Sequence, residues 1–210
     1  MSKKIAIIDY GMGNLHSVKN ALDYIGAESF LASDEKLFSD ADALILPGVG
    51  AFPDASDVLY GSGAAQKIKE LCAEGMPLLG ICLGMQLLLD ESDEVRISKG
   101  LGLIPGRCER IKDTGLKIPH IGWNDLTLDD KSCPLLQNTP DGAYVYFVHS
   151  YKAVLKSEEN LAAHTFYGEK IPALIQNKNV FGAQFHPEKS EKIGLDMLKG
   201  FYSYVNGGCL

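Results

Sequence analysis

A single cysteine stands between two glycines in the stretch Gly80-Ile81-Cys82-Leu83-Gly84, with apolar residues on both sides. The spacing Gly-x-Cys-x-Gly is that of a nucleophile elbow, the sharp turn from a strand into a helix that exposes a reactive side chain. We expect both glycines to be needed sterically around a strained Cys82. The N-terminus of the following helix favours its thiolate, which is the attacking form. The alternative is a buried thiol between two packing glycines.

A nucleophile of this kind needs a base, and His186 is the best placed of the five histidines. It follows the apolar run VFGAQF, which we predict to be a strand that His186 ends, and it precedes Pro187 and Glu188. Side chains two residues apart on a strand point to the same side, so Glu188 is expected to orient and charge-stabilise the imidazole. This completes a Cys-His-Glu triad, whereas a surface turn built on Pro187 is the alternative.

The third element is the turn Pro47-Gly48-Val49-Gly50, directly after the apolar run DALIL. Its backbone N–H groups, with the N–H of Leu83, are expected to form an oxyanion hole, where losing one donor costs about 100- to 1,000-fold in rate. Taken alone it is only a glycine-rich turn. The three elements all lie at strand ends, where the active site of an α/β protein belongs, and together they favour acyl transfer through a thioester.

The elements that must position these residues alternate along the first half of the chain. Short apolar runs separated by helical segments predict βαβ units, hence an α/β fold with a mostly parallel central sheet flanked by helices. We predict strands at 4–10, 28–32, 42–48 and 77–82, with helices at 13–26, 64–73 and 83–90. After Gly100 we predict additional antiparallel strands at 102–111, 121–128, 143–154, 161–167, 173–176 and 179–185, and a last helix over about 191–205. One domain over 1–210 is expected.

Composition excludes several classes of partner. The net charge of −7 comes from 27 acidic against 20 basic residues without a Lys/Arg cluster, so neither nucleic acid nor an anionic membrane surface is expected as a partner. The apolar segment 5–8 is too short for a signal peptide, and the longest apolar stretch, 76–89, is below the roughly 18 residues that a membrane span needs. We expect a cytoplasmic protein.

Cysteine and glycine spacings indicate neither a metal nor a nucleotide cofactor. The five cysteines are odd in number and form no Cys-x-x-Cys pair, so free thiols in a reducing compartment are expected. The pair Gly11-x-Gly13 invites a dinucleotide-binding interpretation, but His16 takes the place of the third glycine and a simple tight turn is favoured.

The segments Gly80 to Gln86 and Phe185 to Glu188 resemble the class I (triad) glutamine amidotransferases, and the resemblance extends over essentially the whole chain. It implies a flavodoxin-like fold in which Cys82 attacks the side-chain amide of glutamine. It also implies that His186 protonates the departing ammonia and then activates water, while Glu188 holds His186. The same resemblance assigns the oxyanion hole and the contacts of glutamine, namely Val49 and Leu83 for the former and Gly50, Gln86, Ser150 and Tyr151 for the latter.

Five further segments are similar to those of the glutaminase subunits of imidazole glycerol phosphate synthase, which serve histidine biosynthesis: 9–15, 47–52, 100–106, 119–124 and 146–151. Anthranilate-type relatives usually carry Pro-Gly-Pro-Gly where this chain has Pro-Gly-Val-Gly. The resemblance implies a heterodimer with a cyclase of (β/α)₈ barrel type. It assigns the interface to Asn14, Trp123, Asn124, Tyr146 and Lys189. The alternative for Trp123 is a core indole.

Three other functions stay open at this point. The first is a closely related glutaminase subunit that serves a different ammonia-dependent synthase, such as one in sugar modification. A hydrolase that acts without a partner, as γ-glutamyl hydrolases do, is a second possibility. The third belongs to another class: an interaction module that keeps the fold and has lost the chemistry.

Overall fold

A central sheet of eight strands organises the molecule. The computed structural model describes residues 2–207, and Cys209 lies outside this range. The strands are β1 (Lys4–Ile8), β2 (Glu28–Ala32), β3 (Ala43–Gly48), β4 (Leu78–Cys82), β5 (Glu91–Ser92), β6 (Ser98–Lys99), β7 (Gly106–Arg110), β8 (His120–Asp125), β9 (Thr127–Leu128), β10 (Tyr144–His149), β11 (Tyr151–Leu155), β12 (Leu161–Phe166), β13 (Lys170–Asn177) and β14 (Val180–Ala183). The helices are α1 (Leu15–Tyr24), α2 (Phe52–Gly61), α3 (Ala64–Ala73), α4 (Leu83–Leu87) and α5 (Glu191–Val205).

The strand order in this sheet is β2-β1-β3-β4-β14-β13-β12-β9. Its first five strands are parallel, and the pairs from β14 to β9 are antiparallel. Two smaller sheets complete the fold, one of β10 and β8 and one in the order β11-β7-β5-β6. The predicted α/β fold, with a mostly parallel central sheet and additional antiparallel strands in the second half, is confirmed.

The sheet is covered on both faces because its central strands are apolar throughout. Every residue of β3 and β4 is buried. On β1, Ile5 and Ile7 belong to one core cluster whereas Ala6 and Ile8 belong to the other, as the alternation of a strand requires. Full burial of one such isoleucine contributes about 1.5–3 kcal/mol, so these strands hold the carboxyl edge of the sheet rigidly.

The structure differs from the predicted elements in several places. The short strands β5 and β6 were not predicted, and the single strand predicted over 121–128 is two strands, β8 and β9, which enter different sheets. The helix α2 has no counterpart in the prediction, although Phe52, Ala55 and Leu59 lie on one buried face and a proline stands in its first turn. The single strand predicted over 143–154 is two strands, β10 and β11, which break at Ser150 and enter different sheets. Within residues 2–207, no helix combines the length and apolar character needed to cross a membrane.

Candidate active site

Cys82 is the last residue of β4 and stands directly before α4, with φ 56° and ψ −110°. Positive φ is strained for a residue with a Cβ atom, so the surroundings must hold it there. A Cβ added at Gly80 would lie 2.6 Å from the carbonyl oxygen of Gly84, and one at Gly84 would lie 1.8 Å from that of Leu46. Neither position has space for a side chain, which is the steric need expected of an elbow.

His186 and Glu188 form a buried pair beside the elbow. His186 Nδ1 lies 2.8 Å from Glu188 Oε1, and the two side chains are 3% and 1% exposed. The expected reason for this pairing was wrong, because β14 ends at Ala183 and Glu188 lies in a 3₁₀ turn, Pro187–Lys189. The turn, rather than the alternation of a strand, brings the carboxylate to the imidazole.

Backbone contacts hold His186 in place. Its N–H donates to the carbonyl oxygen of Tyr146 at 2.9 Å, and its own carbonyl accepts from Ser190 Oγ at 2.7 Å. Ser190 Oγ in turn accepts from the N–H of Tyr146 at 3.0 Å. These three bonds attach the histidine to β10, so the imidazole is positioned by two elements of the chain.

The charges of the neighbours oppose the effect of burial on His186. Burial lowers the pKa of His186, but Cys82 and Glu188 raise it more, to about 9. Nε2 of His186 is buried and has no hydrogen-bond partner within residues 2–207. The imidazole is therefore held protonated at neutral pH, with Nε2 left unpaired.

The other cysteines of the described chain, Cys72, Cys108 and Cys133, are buried free thiols. Burial raises the pKa of Cys72 and of Cys133 to about 12, and it raises that of Cys108 further. None of the three lines the cavity beside the elbow. Within the part of the chain that the structure describes, Cys82 is thus the thiol that a small molecule can reach in a cavity.

A cavity of about 290 Å³ opens beside the Cys82 side chain. It is lined by all the residues assigned to the oxyanion hole and to substrate from the sequence: Val49, Gly50, Leu83, Gln86, Ser150 and Tyr151. Gln86 Nε2 donates to the carbonyl oxygen of Tyr151 at 3.1 Å and to Gln184 Oε1 at 3.0 Å. These contacts fix the plane of the Gln86 amide at the cavity wall.

Four residues that line the cavity had not been predicted: Glu94, Pro119, Val148 and His149. Glu94 comes from the loop between β5 and β6, and its Oε2 accepts from the N–H of Phe52 at 2.8 Å. Gln184 also reaches the nucleophile, with Nε2 at 3.9 Å from Cys82 Sγ. A single acidic residue in a polar loop gives no local indication of a binding role. The position of Glu94 at the cavity is therefore seen only in the folded structure.

The N–H of Val49 donates to the carbonyl oxygen of Met12 at 3.4 Å. It therefore points to Met12 and not to the space above Cys82, where an oxyanion hole needs its donors. Gly50 follows with φ 102°, a conformation that glycine adopts without strain. The oxyanion role of Val49 and Leu83 stays a prediction, and for Val49 it requires its peptide to turn away from Met12.

Three of the residues assigned to the interface, Trp123, Asn124 and Tyr146, lie on the paired strands β8 and β10. Trp123 is 46% exposed and packs edge-on against Tyr146, the residue opposite it in the register, with ring centroids 6.0 Å apart. Ile121 and Tyr144 extend the same face and are 56% and 59% exposed. Trp123 is not a core indole, so that alternative is excluded.

The other assigned residues have structural contacts as well. Asn14 caps α1, with Oδ1 accepting from the N–H of Ser17 at 3.4 Å. Asn124 Nδ2 donates to the carbonyl oxygen of Phe166 at 3.2 Å. Lys189 is exposed at the end of the 3₁₀ turn that holds Glu188.

Fold and site together define a class of protein. The family model described as glutamine amidotransferase class-I matches residues 6–203, and the chain belongs to this family. Two solved structures share the fold. One is PurLQS from Thermotoga maritima, with a TM-score of 0.79, 22% identity and coverage of 97% of this chain and 99% of that chain. The other is a glutamine amidotransferase, with a TM-score of 0.76, 20% identity and coverage of 97% and 98%.

Curated relatives are more similar in sequence. Imidazole glycerol phosphate synthase subunit HisH of Bacillus cereus (strain ATCC 14579) is 51% identical over 201 residues, which are 96% of this chain and 95% of the relative. The subunit of the same name from Geobacillus sp. (strain WCH70) is 48% identical over 97% of this chain and 98% of its own. Within class I, the chain is a member of the HisH subunits.

Proposed function

We propose that this chain is the glutaminase subunit of an imidazole glycerol phosphate synthase and that it hydrolyses glutamine to glutamate and ammonia. The carrying observation is the strained Cys82 at the edge of a cavity, beside the buried pair of His186 and Glu188. The identity to HisH subunits over nearly the full lengths supports the assignment to histidine biosynthesis.

In the first step, the Cys82 thiolate attacks the side-chain carbonyl carbon of glutamine and a C–S bond forms. The N–H of Leu83, and that of Val49 once it leaves Met12, stabilise the oxyanion of the tetrahedral intermediate. The imidazolium of His186 gives its Nε2 proton to the amide nitrogen as the C–N bond breaks. Ammonia leaves and a thioester remains on Cys82.

In the second step, neutral His186 takes a proton from water as the water oxygen attacks the thioester carbon. The C–S bond breaks, glutamate leaves, and the thiolate of Cys82 and the imidazolium of His186 are restored. Glu188 holds the imidazole through Nδ1 in both steps, so that Nε2 always faces the reacting atoms. The proton taken from water replaces the one given to ammonia.

We assign the cavity to one free glutamine, which carries an α-ammonium and an α-carboxylate group. All three of Glu94, Ser150 and Tyr151 line the cavity. We assign the Glu94 carboxylate to the α-ammonium group and the backbone of Ser150 and Tyr151 to holding the glutamine. The amide nitrogen of Gln86 is already bonded inside the protein, which leaves its oxygen for the substrate. Gly50 lets the chain approach the ligand closely.

Ammonia must reach its acceptor unprotonated, since ammonium has no lone pair with which to attack. We therefore assign the consuming site to a second chain, a cyclase that forms imidazole glycerol phosphate and AICAR. Exposed Trp123 and half-buried Tyr146, which pack edge-on, form the centre of the docking surface that we propose, to which Asn14, Asn124 and Lys189 also belong. We further propose that one domain comprises residues 1–210, that no cofactor takes part, and that the protein is cytoplasmic, which the free thiols of Cys72, Cys82, Cys108 and Cys133 support.

An electrophilic glutamine analogue tests this function. In the presence of the cyclase partner, the analogue is expected to label Cys82 and no other cysteine, as mapped by peptide mass spectrometry. The buried thiols Cys72, Cys108 and Cys133 serve as internal controls. The corresponding asparagine analogue, one methylene shorter, should not label. Label spread over several cysteines, or no label with the partner bound, would refute the proposal.

The pH dependence of hydrolysis tests the role of His186. Because its pKa is raised to about 9, the ring is protonated at neutral pH and loses its proton as the pH rises through about 9. The rate of glutamine hydrolysis is therefore expected to fall above that pH. Glu188→Gln removes one of the groups that raise the pKa, so this fall should begin at lower pH.

The matched control is Glu159→Gln, which changes an exposed carboxylate and should leave the profile as it is. Steady-state rates of glutamate formation between pH 6 and 10, with the partner present, give both profiles. A Glu188→Gln profile that coincides with that of the unchanged chain would contradict the assignment.

A further inference from the structure

A line of three hydrogen-bonded side chains runs beside the cavity. His149 Nδ1 lies 2.8 Å from the carbonyl oxygen of Tyr151, and His149 Nε2 lies 3.0 Å from His120 Nδ1. His120 Nε2 lies 3.4 Å from Asn124 Nδ2. The line His149-His120-Asn124 crosses the sheet of β8 and β10, in which His120 and His149 are register partners.

Chemistry decides the direction of every bond in this line. A carbonyl oxygen only accepts, so His149 Nδ1 carries the hydrogen that goes to Tyr151. Neutral His149 then accepts at Nε2 from the Nδ1 hydrogen of His120. Neutral His120 in turn accepts at Nε2 from the amide of Asn124. Each ring is thus restricted to one tautomer by its neighbours.

Both rings are enclosed and uncharged. His120 and His149 are 3% and 5% exposed, and His120 stacks between Phe147 and Tyr167 at centroid distances of 4.8 and 4.0 Å. Burial lowers the pKa of His120 to about 4 and that of His149 to about 3. The line therefore keeps its tautomers at neutral pH, and its rings have little room to move.

The two ends of the line lie at places with different roles. The carbonyl oxygen of Tyr151 also accepts from Gln86 Nε2, and both residues line the cavity. At the other end, Asn124 is half-buried on β8 and was assigned to the interface with the cyclase, and its side chain lies on the face of His120, opposite to that of Trp123. The line thus connects Asn124 to a backbone oxygen at the cavity wall through two buried rings.

We propose that His120 and His149 are positioning residues that couple docking of the cyclase at Asn124 to glutamine binding at the backbone of Tyr151. The proposal rests on the proposed function, because it needs both ligands. Coupling between two binding sites is reciprocal: the partner tightens glutamine binding by the same factor by which glutamine tightens partner binding. Neither His120 nor His149 was predicted to have a function from the sequence.

The test measures this coupling factor by titration calorimetry on the heterodimer. All variants carry Cys82→Ser so that glutamine binds without turnover, and the affinity for glutamine is measured with and without the cyclase. We expect a factor of about 5 or more, the lower end of common couplings. His120→Phe keeps the stacked ring and removes both nitrogens, and it should reduce the factor to near 1.

His120→Asn is the matched rescue, since an asparagine amide places a donor near the position of Nδ1 and can still bond His149. It should restore a factor clearly above that of His120→Phe. Asn124→Ala removes the outer bond and should also lower the factor, which keeps the test valid where His120→Phe does not fold. His164→Phe replaces a histidine on β12 outside the line and should retain the full factor.

The possible results separate the two proposals. A coupling factor that stays unchanged in His120→Phe and Asn124→Ala overturns the line, and so does a factor of 1 in the reference protein. Equal losses in His120→Phe and His120→Asn would show that the bond to His149 does not carry the coupling, which also overturns it. Failure to bind either glutamine or the cyclase in the reference protein would instead refute the proposed function.

Discussion

The exchange Cys82→Ser is expected to lower the rate of glutamine hydrolysis by about 10⁴-fold or more. Serine has nearly the same shape, so the elbow between Gly80 and Gly84 stays intact, but its hydroxyl ionises far less readily than a thiol. The imidazolium of His186 then keeps Glu188 as a partner at Nδ1 but loses the anionic sulfur beside it. The measurement is glutamate formation in the complex with the cyclase.

The control for this exchange is Cys72→Ser, at a buried thiol away from the cavity. It should retain the rate of hydrolysis even where it lowers thermal stability. Cys82→Ser should still bind glutamine, since the residues that line the cavity are unchanged. Retention of more than a tenth of the rate in Cys82→Ser would remove the nucleophile from the mechanism.

The exchange Gly84→Ala is expected to lower the free energy of unfolding by roughly 3 kcal/mol or more. The new methyl group would lie 1.8 Å from the carbonyl oxygen of Leu46, a backbone atom of a central strand. Neither β3 nor α4 can give way without breaking the packing around Cys82. Urea unfolding followed by circular dichroism measures the loss, and hydrolysis should fall with it because the thiol is displaced.

Gly61→Ala is the matched control, because the same methyl group there has nothing within 4 Å and the residue is part of α2. Alanine forms helix more readily than glycine, so this variant should be equally or slightly more stable, by up to about 1 kcal/mol. A loss below about 1 kcal/mol in Gly84→Ala would show that the elbow tolerates a side chain.

The elbow could be predicted from sequence because its determinants are local. Gly80, Cys82 and Gly84 are neighbours, and the clash that each glycine avoids lies within the same turn or on the adjacent strand. The parallel sheet could be predicted for a similar reason, since continuous apolar runs are typical of strands buried on both faces. Patterns of this kind lie within short segments, so they can be recognised in the sequence without knowledge of the fold.

The parts that could not be predicted depend on contacts between distant segments. Glu94 reaches the cavity only because the loop between β5 and β6 is anchored on the N-terminus of α2 through Phe52. The bond between Val49 and Met12 joins two turns that are separate in the sequence. Helix α2 was not predicted because its serine, aspartate, proline and glycine residues have low helix propensity, although the spacing of its apolar residues is helical.

The break at Ser150 has a mechanical consequence. It is the single residue between β10, which pairs with β8, and β11, which pairs with β7. The cavity thus lies between two sheets that have separate strand pairings. Residues of both sheets line the cavity, with His149 on β10 and Tyr151 on β11. The shape of the cavity therefore depends on how the two sheets are held at Ser150, whose carbonyl oxygen accepts from the N–H of Ile111 at 2.9 Å.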